Sequence, residues 1–422
     1  MKPYSKEEKS WIFYDWANSA YSIIITTAVF PLYYKAAATN AGVSLSHSTA
    51  YLGYTVAIAT FILAILGPIL GTIADYQNFK KKFFAFFFAL GVVGTAILAI
   101  IPSNQWLLLL ICYTFTTIGS TGSNVFYDAF LVDVTTVKRM NVVSAQGYSL
   151  GYIGSTIPFM ISIAIIILSQ NKVWAISTTT ASSIAFLITA LWWGLFTIPI
   201  LKNVHQHHYI KPEANPIRNS FKRLSKTLKE IRKYRALFLF LLAYFFYIDG
   251  VGTIISMSTA YGTDLGISST DLLIILFVTQ IIAAPFAFLY GKLADRFSGK
   301  KMLYVGIIIY IMVCIYAYFL KTTLDFWILA ILVATSQGGI QALSRSYFAK
   351  LVPKKNSNEF FGFYNIFGKF ASIMGPLLLG ATAQITGKSN MGVFSLVILF
   401  IIGIVILVFV PETKEDGKAE MV

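Results

Sequence analysis

Apolar stretches of about twenty residues, separated by short polar connections, recur along nearly the whole chain. A run of this length forms a helix that crosses the hydrocarbon core of a bilayer. The pattern therefore predicts an all-α polytopic membrane protein with twelve transmembrane helices in two pseudo-symmetric bundles of six. The predicted spans are 10–38, 48–75, 82–101, 106–135, 142–168, 173–200, 236–262, 270–294, 302–320, 324–350, 358–386 and 390–410.

Two polar turns, one in each half, interrupt this pattern in the same way. They read GTIADYQNFKK at 71–81 and GKLADRFSGKK at 291–301. The glycines permit close helix packing, the aspartates can cap or face a neighbouring helix, and the lysines stay at the membrane surface. Ordinary turns with anchoring charges are the alternative, but the duplication favours an internally repeated transporter. The predicted conformational loop motif comprises Gly71, Asp75, Gly291, Asp295 and Arg296.

Composition excludes an ordinary soluble protein, because 57% of the 422 residues are hydrophobic and only 12% are charged. The formal net charge of +15 does not indicate nucleic-acid binding. Most Lys and Arg lie in the termini and the even-numbered connections, which predicts that both termini are cytoplasmic. The charged segment 1–9 lacks a signal-peptide cleavage pattern, so the first span is expected to be retained. Cys112 and Cys314 are expected to be packing residues.

The fourth and tenth spans carry opposite charges at equivalent positions. At an offset of 217 residues, Asp128 corresponds to Arg345 and Asp133 to Lys350. The halves of an alternating-access carrier close against each other on one side at a time, so we expect these acids and bases to meet and close the cytoplasmic side. Snorkelling of the two cations toward headgroups is the alternative. The predicted cytoplasmic gate comprises Asp128, Asp133, Arg345 and Lys350.

Further polar residues lie inside predicted spans, where charges are costly and mostly functional. Lys369 and Asp249 are predicted to lie near the bilayer middle, where we expect a functional role. The alternative for each is a buried structural ion pair, which could also join the two residues to each other. Asp15, Asn18 and Ser19 share one helical face, which we expect to face the cavity. The alternative for Asp15 is a carboxylate without a transport role that lies near the helix start and close to water. The candidates for substrate binding or coupling are Asp15, Asn18, Asp249, Gln341, Asn365 and Lys369.

The long connection 202–235 separates the halves, so we divide the chain into bundles 1–201 and 236–411, this linker, and a cytoplasmic tail 412–422. Apolar residues at helical spacing among basic ones predict an amphipathic helix on the anionic inner leaflet. Its predicted apolar stripe consists of Ile217, Phe221, Leu224, Leu228 and Ile231. His205, His207 and His208 fit a solvated loop better than a metal site, and we predict no metal or other cofactor.

Three segments carry a family resemblance: YDWANSA at 14–20, GGIQALSRS at 338–346 and EFFGFYN at 359–365. Together with the doubled Gly-x-x-x-Asp turn, they resemble the vacuole-effluxer-like family of the major facilitator superfamily. The first turn departs from the superfamily pattern at Tyr76, where a basic residue is usual, and at Asn78, where glycine is usual. The resemblance covers essentially the whole chain and places it with the bacterial facilitators of that family.

The resemblance implies a secondary transporter in the cytoplasmic membrane that exports amino acids or similar metabolites. Deep carboxylates and cations can bind a zwitterion, and Asp249 is the first candidate for a coupled proton. The expected partners are a small-molecule substrate, a proton and membrane lipid, with no nucleic acid, in a monomer. An exporter of amphipathic drugs or a translocator of a lipid-linked headgroup is the alternative, followed by a non-transporting sensor. No phosphate-binding loop or catalytic constellation appears, so we do not expect an enzyme.

Overall fold

A computed structural model describes residues 3–211, 213, 215–229, 231–264 and 266–412. Within these residues, eleven helices are long and apolar enough to cross a membrane. A twelfth spanning helix precedes them, so the prediction of twelve is confirmed. Numbered 1 to 12 along the chain, the spanning helices are Lys6–Asn40 (in three stretches), Leu45–Ala74, Phe79–Leu98, Trp106–Ala129, Met140–Gln170, Thr178–Asn203, Arg235–Asp264, Ser269–Phe297, Gly299–Tyr318, Thr323–Leu351, Ser357–Thr386 and a broken last helix of Ser389–Ser395 and Val397–Val408.

Helix 1 differs from the uninterrupted span that the sequence predicts. It runs as α-helix over Lys6–Ala20, π-helix over Tyr21–Ala28 and α-helix over Val29–Asn40. The Thr27 hydroxyl donates to the carbonyl of Ser22, five residues earlier, at 2.9 Å. Such a side chain competes with the backbone for carbonyl groups, and the run of β-branched residues around it forms α-helix less readily. The π-helix rotates the outer part of helix 1 relative to the part that bears Asp15.

The two bundles meet through a limited set of helices. Helix 5 packs against helices 8 and 10, and helix 11 packs against helices 2 and 4. Between the bundles, the linker contains the α-helix Pro216–Lys229 and a 3-10 turn Ile231–Tyr234. We call the side of the molecule where helix 1 begins and the linker lies the linker face, and the opposite side the distal face. The predicted tail lies outside the described residues from 413 onward.

The bundles are closed at the linker face and open at the distal face. The end of helix 2, residues 71–76, is buried throughout, as is the start of helix 11, residues 357–362. At the distal end of helix 11, by contrast, none of the residues 380–387 is buried. A helix buried on every side has protein all around it, whereas one exposed on several sides has lost those neighbours. The seam between the bundles is therefore closed toward the linker. We call the space between the bundles on the distal side, where helix 11 is not buried, the distal cavity.

Candidate substrate site and gate

Arg345 of helix 10 reaches across the closed seam into the first bundle. Its Nη2 donates to Asp15 Oδ2 at 2.9 Å, and its Nη1 donates to Asp128 Oδ1 at 3.2 Å. The guanidinium also donates to Ser144, through Nε to the hydroxyl at 2.9 Å and through Nη2 to the carbonyl at 3.1 Å. Helices 1, 4 and 5 of one bundle thus share a single cation from the other bundle.

Aromatic rings enclose the same guanidinium. Its central carbon lies 4.6 Å from the ring centroid of Trp11, 4.5 Å from that of Tyr148 and 5.3 Å from that of Tyr127. Only 2% of the Arg345 side chain is exposed, against 13% for each of its two carboxylate partners. Removing one partner of a buried ion pair typically costs about 3–5 kcal/mol, because the other charge stays buried. Separating Arg345 from its two carboxylate partners is therefore costly in free energy.

Glycines of helix 5 permit the close packing that assembles the cluster. A side chain at Gly147 would collide with the Asp15 carboxylate and approach Arg345, and one at Gly151 would collide with Ser19. Small residues at such positions let helix backbones approach each other closely in membrane proteins. In the structure, these two positions bring helix 1 close enough for Asp15 to reach the guanidinium.

The second predicted pair does not form. We expected Asp133 to meet Lys350, but the structure pairs Asp133 with Lys80 of its own bundle at 2.6 Å. Lys80 Nζ also donates to the hydroxyl of Ser357 on helix 11 at 3.1 Å. Asp133 thus pairs with a lysine that contacts the other bundle, although it does not contact that bundle itself through Lys350. Lys350 lies close enough to Asp295 in its own bundle to act on that carboxylate electrostatically. Asp133 and Lys350 thus each lie beside an opposite charge of their own bundle, which explains why they do not pair with one another.

The first copy of the loop motif contacts helix 11 directly. Asp75 Oδ1 accepts from the backbone N–H of Asn358 at 3.0 Å and from its side-chain Nδ2 at 2.9 Å, while Gly71 lies against the Asn358 backbone. Complete burial raises the pKa of Asp75 from 3.8 to about 7, although Asn358 and Lys80 act to lower it. Burial of Asp75 therefore favours the protonated form of this carboxylate while the linker face is closed.

The second copy contacts helix 5 in the mirrored arrangement. A side chain at Gly291 would collide with Ala145, and Asp295 accepts from Asn141 Nδ2 at 3.2 Å. Arg296 remains exposed, with its guanidinium carbon 5.4 Å from the ring centroid of Phe297. Each motif thus packs its glycine against the opposite bundle, and Arg296 makes no ion pair among the described residues.

A layer of amides lies one helical turn distal to the Arg345 cluster. Asn18 Nδ2 donates to Asn124 Oδ1 at 2.8 Å. Gln341 lies four residues from Arg345 on helix 10, beside Tyr152, and Asn365 lies beside Asp128. These amides form the floor of the distal cavity, immediately above the ion cluster.

Lys369 projects into the cavity above this floor. It follows Ile366 by three residues and Gly362 by seven, so all three share one face of helix 11. Gly362 and Ile366 approach Gly67 of helix 2, whereas Lys369 is exposed. Lys369 has no hydrogen-bonding or ion-pairing partner in the part of the chain that the structure describes. It is therefore a free cation just beyond the last contact between helices 2 and 11.

Asp249 lies apart from the cavity floor and does not pair with Lys369. Its side chain is fully buried between helices 7 and 11. Oδ2 accepts from the backbone N–H of Gly375 at 2.8 Å, and Oδ1 accepts from the Thr253 hydroxyl at 3.4 Å. No described cation lies within ion-pair distance, so the alternative of an Asp249–Lys369 ion pair is wrong.

Sequence reasoning missed several residues that complete the site. Ser144 and Tyr148 bind Arg345, Asn358 binds Asp75, and Lys80 binds Asp133. Lys80 carried a signal, since it belongs to the duplicated lysine pair. Ser144 and Asn358 carried none, because neutral polar residues in helices are common.

Twelve helices in two bundles, joined by an ion cluster below a cavity, define a membrane transporter of the major facilitator superfamily. The outward-facing crystal structure of the transporter FucP superposes with a TM-score of 0.70 at 14% identity, covering 98% of this chain and 99% of that one. This likeness shows the fold. The chain also belongs to the family described as "Vacuole effluxer Atg22 like", which matches residues 4–136 and 132–420.

Relatives in two kingdoms support this membership. The chain is 72% identical, over its full length and 98% of the relative, to the uncharacterized MFS-type transporter YxiO of Bacillus subtilis strain 168. It is 27% identical to autophagy-related protein 22 of Kluyveromyces lactis, over 86% of this chain and 80% of the relative. The predicted family is thus confirmed, and the protein is a multi-pass membrane transporter rather than an enzyme.

Proposed function

We propose that the protein is a secondary active transporter that moves amino acids by alternating access between its two bundles. The observation that carries this proposal is the charge balance of the cavity. At the floor, Asp15 and Asp128 share the single guanidinium of Arg345, which leaves one negative charge in excess. Above the floor, Lys369 is a cation without a partner among the described residues.

This arrangement fits a zwitterion. Asn365 lies beside Asp128. Lys369 follows Asn365 by one helical turn, a rise of about 6 Å along helix 11. Charge-assisted hydrogen bonds measure about 2.8 Å, so a small amino acid can reach from the floor carboxylates to the Lys369 ammonium. Its ammonium group would bind the partly exposed floor carboxylates, and its carboxylate would bind Lys369. Asn18, Asn124 and Gln341 supply neutral hydrogen-bonding groups between them.

The direction of transport, the coupling and the orientation belong to the same proposal. Efflux is supported by the family description, "vacuole effluxer". Proton coupling is supported by a structural neighbour, the E. coli Fucose:proton symporter FucP, and we assign Asp249 as the proton carrier. The distribution of basic residues supports a linker face in the cytoplasm of a bacterial cytoplasmic membrane, with both termini on that side. We take the transporting unit to be a monomer with bundles 1–201 and 236–411.

Counterflow tests the substrate class directly. The purified protein is reconstituted in liposomes, loaded with a high concentration of one amino acid, and given a trace of the same labelled compound outside. We expect uptake above that of empty liposomes for at least one zwitterionic amino acid. Absence of uptake for every amino acid, with folded protein, would reject this substrate class and favour amphipathic drugs or lipid-linked headgroups.

A matched pair of lysine variants tests the binding mode. Lys369→Gln should abolish counterflow of the substrate, whereas Lys388→Gln, at an exposed lysine in a distal connection, should not change it. A decarboxylated analogue of the substrate should bind equally to wild type and to Lys369→Gln, because it lacks the group that Lys369 binds. Retained counterflow by Lys369→Gln would contradict this role.

A further inference from the structure

The first part of the linker is fastened to the end of the first bundle. The backbone N–H groups of His207 and His208 donate to Asp133 Oδ1 at 3.0 and 2.8 Å. Ile210 then pairs with the turn after helix 2, its N–H donating to the Asp75 carbonyl at 2.8 Å and its carbonyl accepting from Gln77 at 3.2 Å. These bonds bring the linker helix Pro216–Lys229 to the seam between the bundles.

The linker helix presents a polar side to the seam. Ser220 and Thr227 are buried, and Arg223 lies between them on the same side. The Arg223 guanidinium donates from Nη2 to the Thr72 carbonyl of helix 2 and lies 4.7 Å from the ring centroid of Tyr76. Its Nε and Nη1 are buried, and in the described structure they have no hydrogen-bonding partner.

A carboxylate of the second bundle faces this cation. Glu359, in the first turn of helix 11, is fully buried, and both of its oxygens are without a hydrogen-bonding partner among the described residues. Its polar and charged neighbours are Thr227 and Arg223 of the linker helix and Asn356, which directly precedes helix 11. Opposite charges attract strongly where water is excluded, and a buried charge without a counter-charge is costly. Arg223 and Glu359 therefore stabilise each other only while the linker helix and helix 11 are held together.

The outer side of the linker helix carries a different chemistry. Ile217 and Phe221, one turn apart, are 60% and 49% exposed, and Arg218, Lys222 and Lys226 are exposed beside them. Because Arg223 binds the last turn of helix 2 and faces the first turn of helix 11, the helix lies level with the ends of the spans. At that level, apolar side chains enter the headgroup boundary and cations attract anionic lipid.

We propose that the linker helix is a lipid-anchored latch. In this proposal, Arg223, fixed to helix 2, attracts Glu359 of helix 11 and holds the linker face closed. Anionic phospholipid binds the outer side through Ile217, Phe221 and the exposed cations, and keeps the helix at the seam. Lipid with negative headgroups thereby favours the conformation that is open to the distal face. The sequence predicted a membrane-surface helix here, but not its contact with both bundles.

A distance measurement on the full-length protein tests the latch without any substrate. Spin labels are placed at Lys138 and Lys354, exposed on the linker face of the first and second bundle, and the two native cysteines are buried. We expect Glu359→Gln and Arg223→Gln each to lower the closed population several-fold. The exchange Arg223→Glu with Glu359→Arg should restore part of it. Arg218→Gln, at an exposed cation of the same helix, is the control and should leave it unchanged in neutral vesicles.

The lipid anchor is tested by vesicle composition. Adding phosphatidylglycerol to phosphatidylcholine vesicles should raise the closed population of the wild type several-fold, and the double variant Ile217→Ser with Phe221→Ser should not respond. Unchanged distances in both Arg223→Gln and Glu359→Gln would overturn the latch. An equal response of wild type and double variant to phosphatidylglycerol would overturn the lipid anchor. Neither outcome bears on the amino-acid proposal, which is tested by counterflow.

Discussion

Arg345 and Asp15 lie 330 residues apart in the chain, yet Arg345 Nη2 donates to the Asp15 carboxylate at 2.9 Å. The two residues belong to helices 10 and 1, in different bundles. Because this bond crosses the seam at the floor of the distal cavity, it exists only while the linker face is closed. Opening that face must break it, together with the bonds of Arg345 to Asp128 and Ser144.

Charge exchange between Asp128 and Arg345 tests the gate. Asp128→Arg alone should reduce counterflow at least tenfold, since a loss of about 1.4 kcal/mol already corresponds to that factor and two buried cations would face each other. Adding Arg345→Asp should restore part of the transport. Rescue should be incomplete, because Asp15 would then face a new carboxylate. Charge reversal of the exposed Lys321 is the control, and a double variant as inactive as the single one would contradict the pairing.

Valine substitutions at two glycines of helix 11 distinguish the effect of close packing at the seam from the effect of valine on the helix itself. A Cβ at Gly362 would lie 2.8 Å from the carbonyl oxygen of Gly67, a backbone atom that cannot easily move, whereas a Cβ at Gly380 would meet no atom within 4 Å. Gly362→Val should therefore shift the protein toward an open linker face and slow counterflow, and Gly380→Val should do neither. Distances between labels at Lys138 and Lys354 measure the shift. Equal behaviour of the two variants would show that close packing at Gly362 does not matter.

Asp249→Asn tests proton coupling. The Asp249 carboxylate is buried, with no described cation within ion-pair distance, so a proton is the simplest way to neutralise it during transport. The amide keeps the shape and the acceptor for Gly375 but cannot carry the proton. We expect loss of accumulation driven by a pH gradient, with exchange between equal substrate pools preserved. Accumulation that survives the substitution would assign the proton to another group.

The stability of the closed linker face should fall as pH rises, because of Asp75. Closure raises the pKa of Asp75 from 3.8 to about 7, chiefly by burial, so the closed state binds the proton more tightly than a state in which Asp75 is exposed. Its contribution is fully present below pH 3.8 and is lost as pH rises through about 7. In Asp75→Asn, this dependence should disappear. Lys80 and Glu359 also act electrostatically on the Asp75 carboxylate, so Glu359→Gln serves as a second variant. The measurement is the distance between labels at Lys138 and Lys354, recorded between about pH 5 and 8.

Part of the site was predictable because the chain is duplicated. The offset of 217 residues matched Asp128 with Arg345, and the structure brings these two side chains to 3.2 Å. The same offset matched Asp133 with Lys350, and there it was wrong. Position along a helix indicates depth in the membrane, but it does not show which of several opposite charges lies nearest, and it is Lys80 of the same bundle that pairs with Asp133.

By itself, the sequence determined the class of protein: twelve spanning helices, two related halves and the transporter family. The structure and the comparisons confirm the helices and the family. These features depend on local quantities, namely the transfer free energy of about twenty consecutive residues and short motifs. Only the tertiary structure decided that Asp15 and Asp128 share Arg345, that Lys369 is exposed in an open cavity, and that Arg223 of the linker faces Glu359. Such contacts join residues far apart in the chain, and they depend on how closely glycine-lined helices pack, which no local pattern encodes.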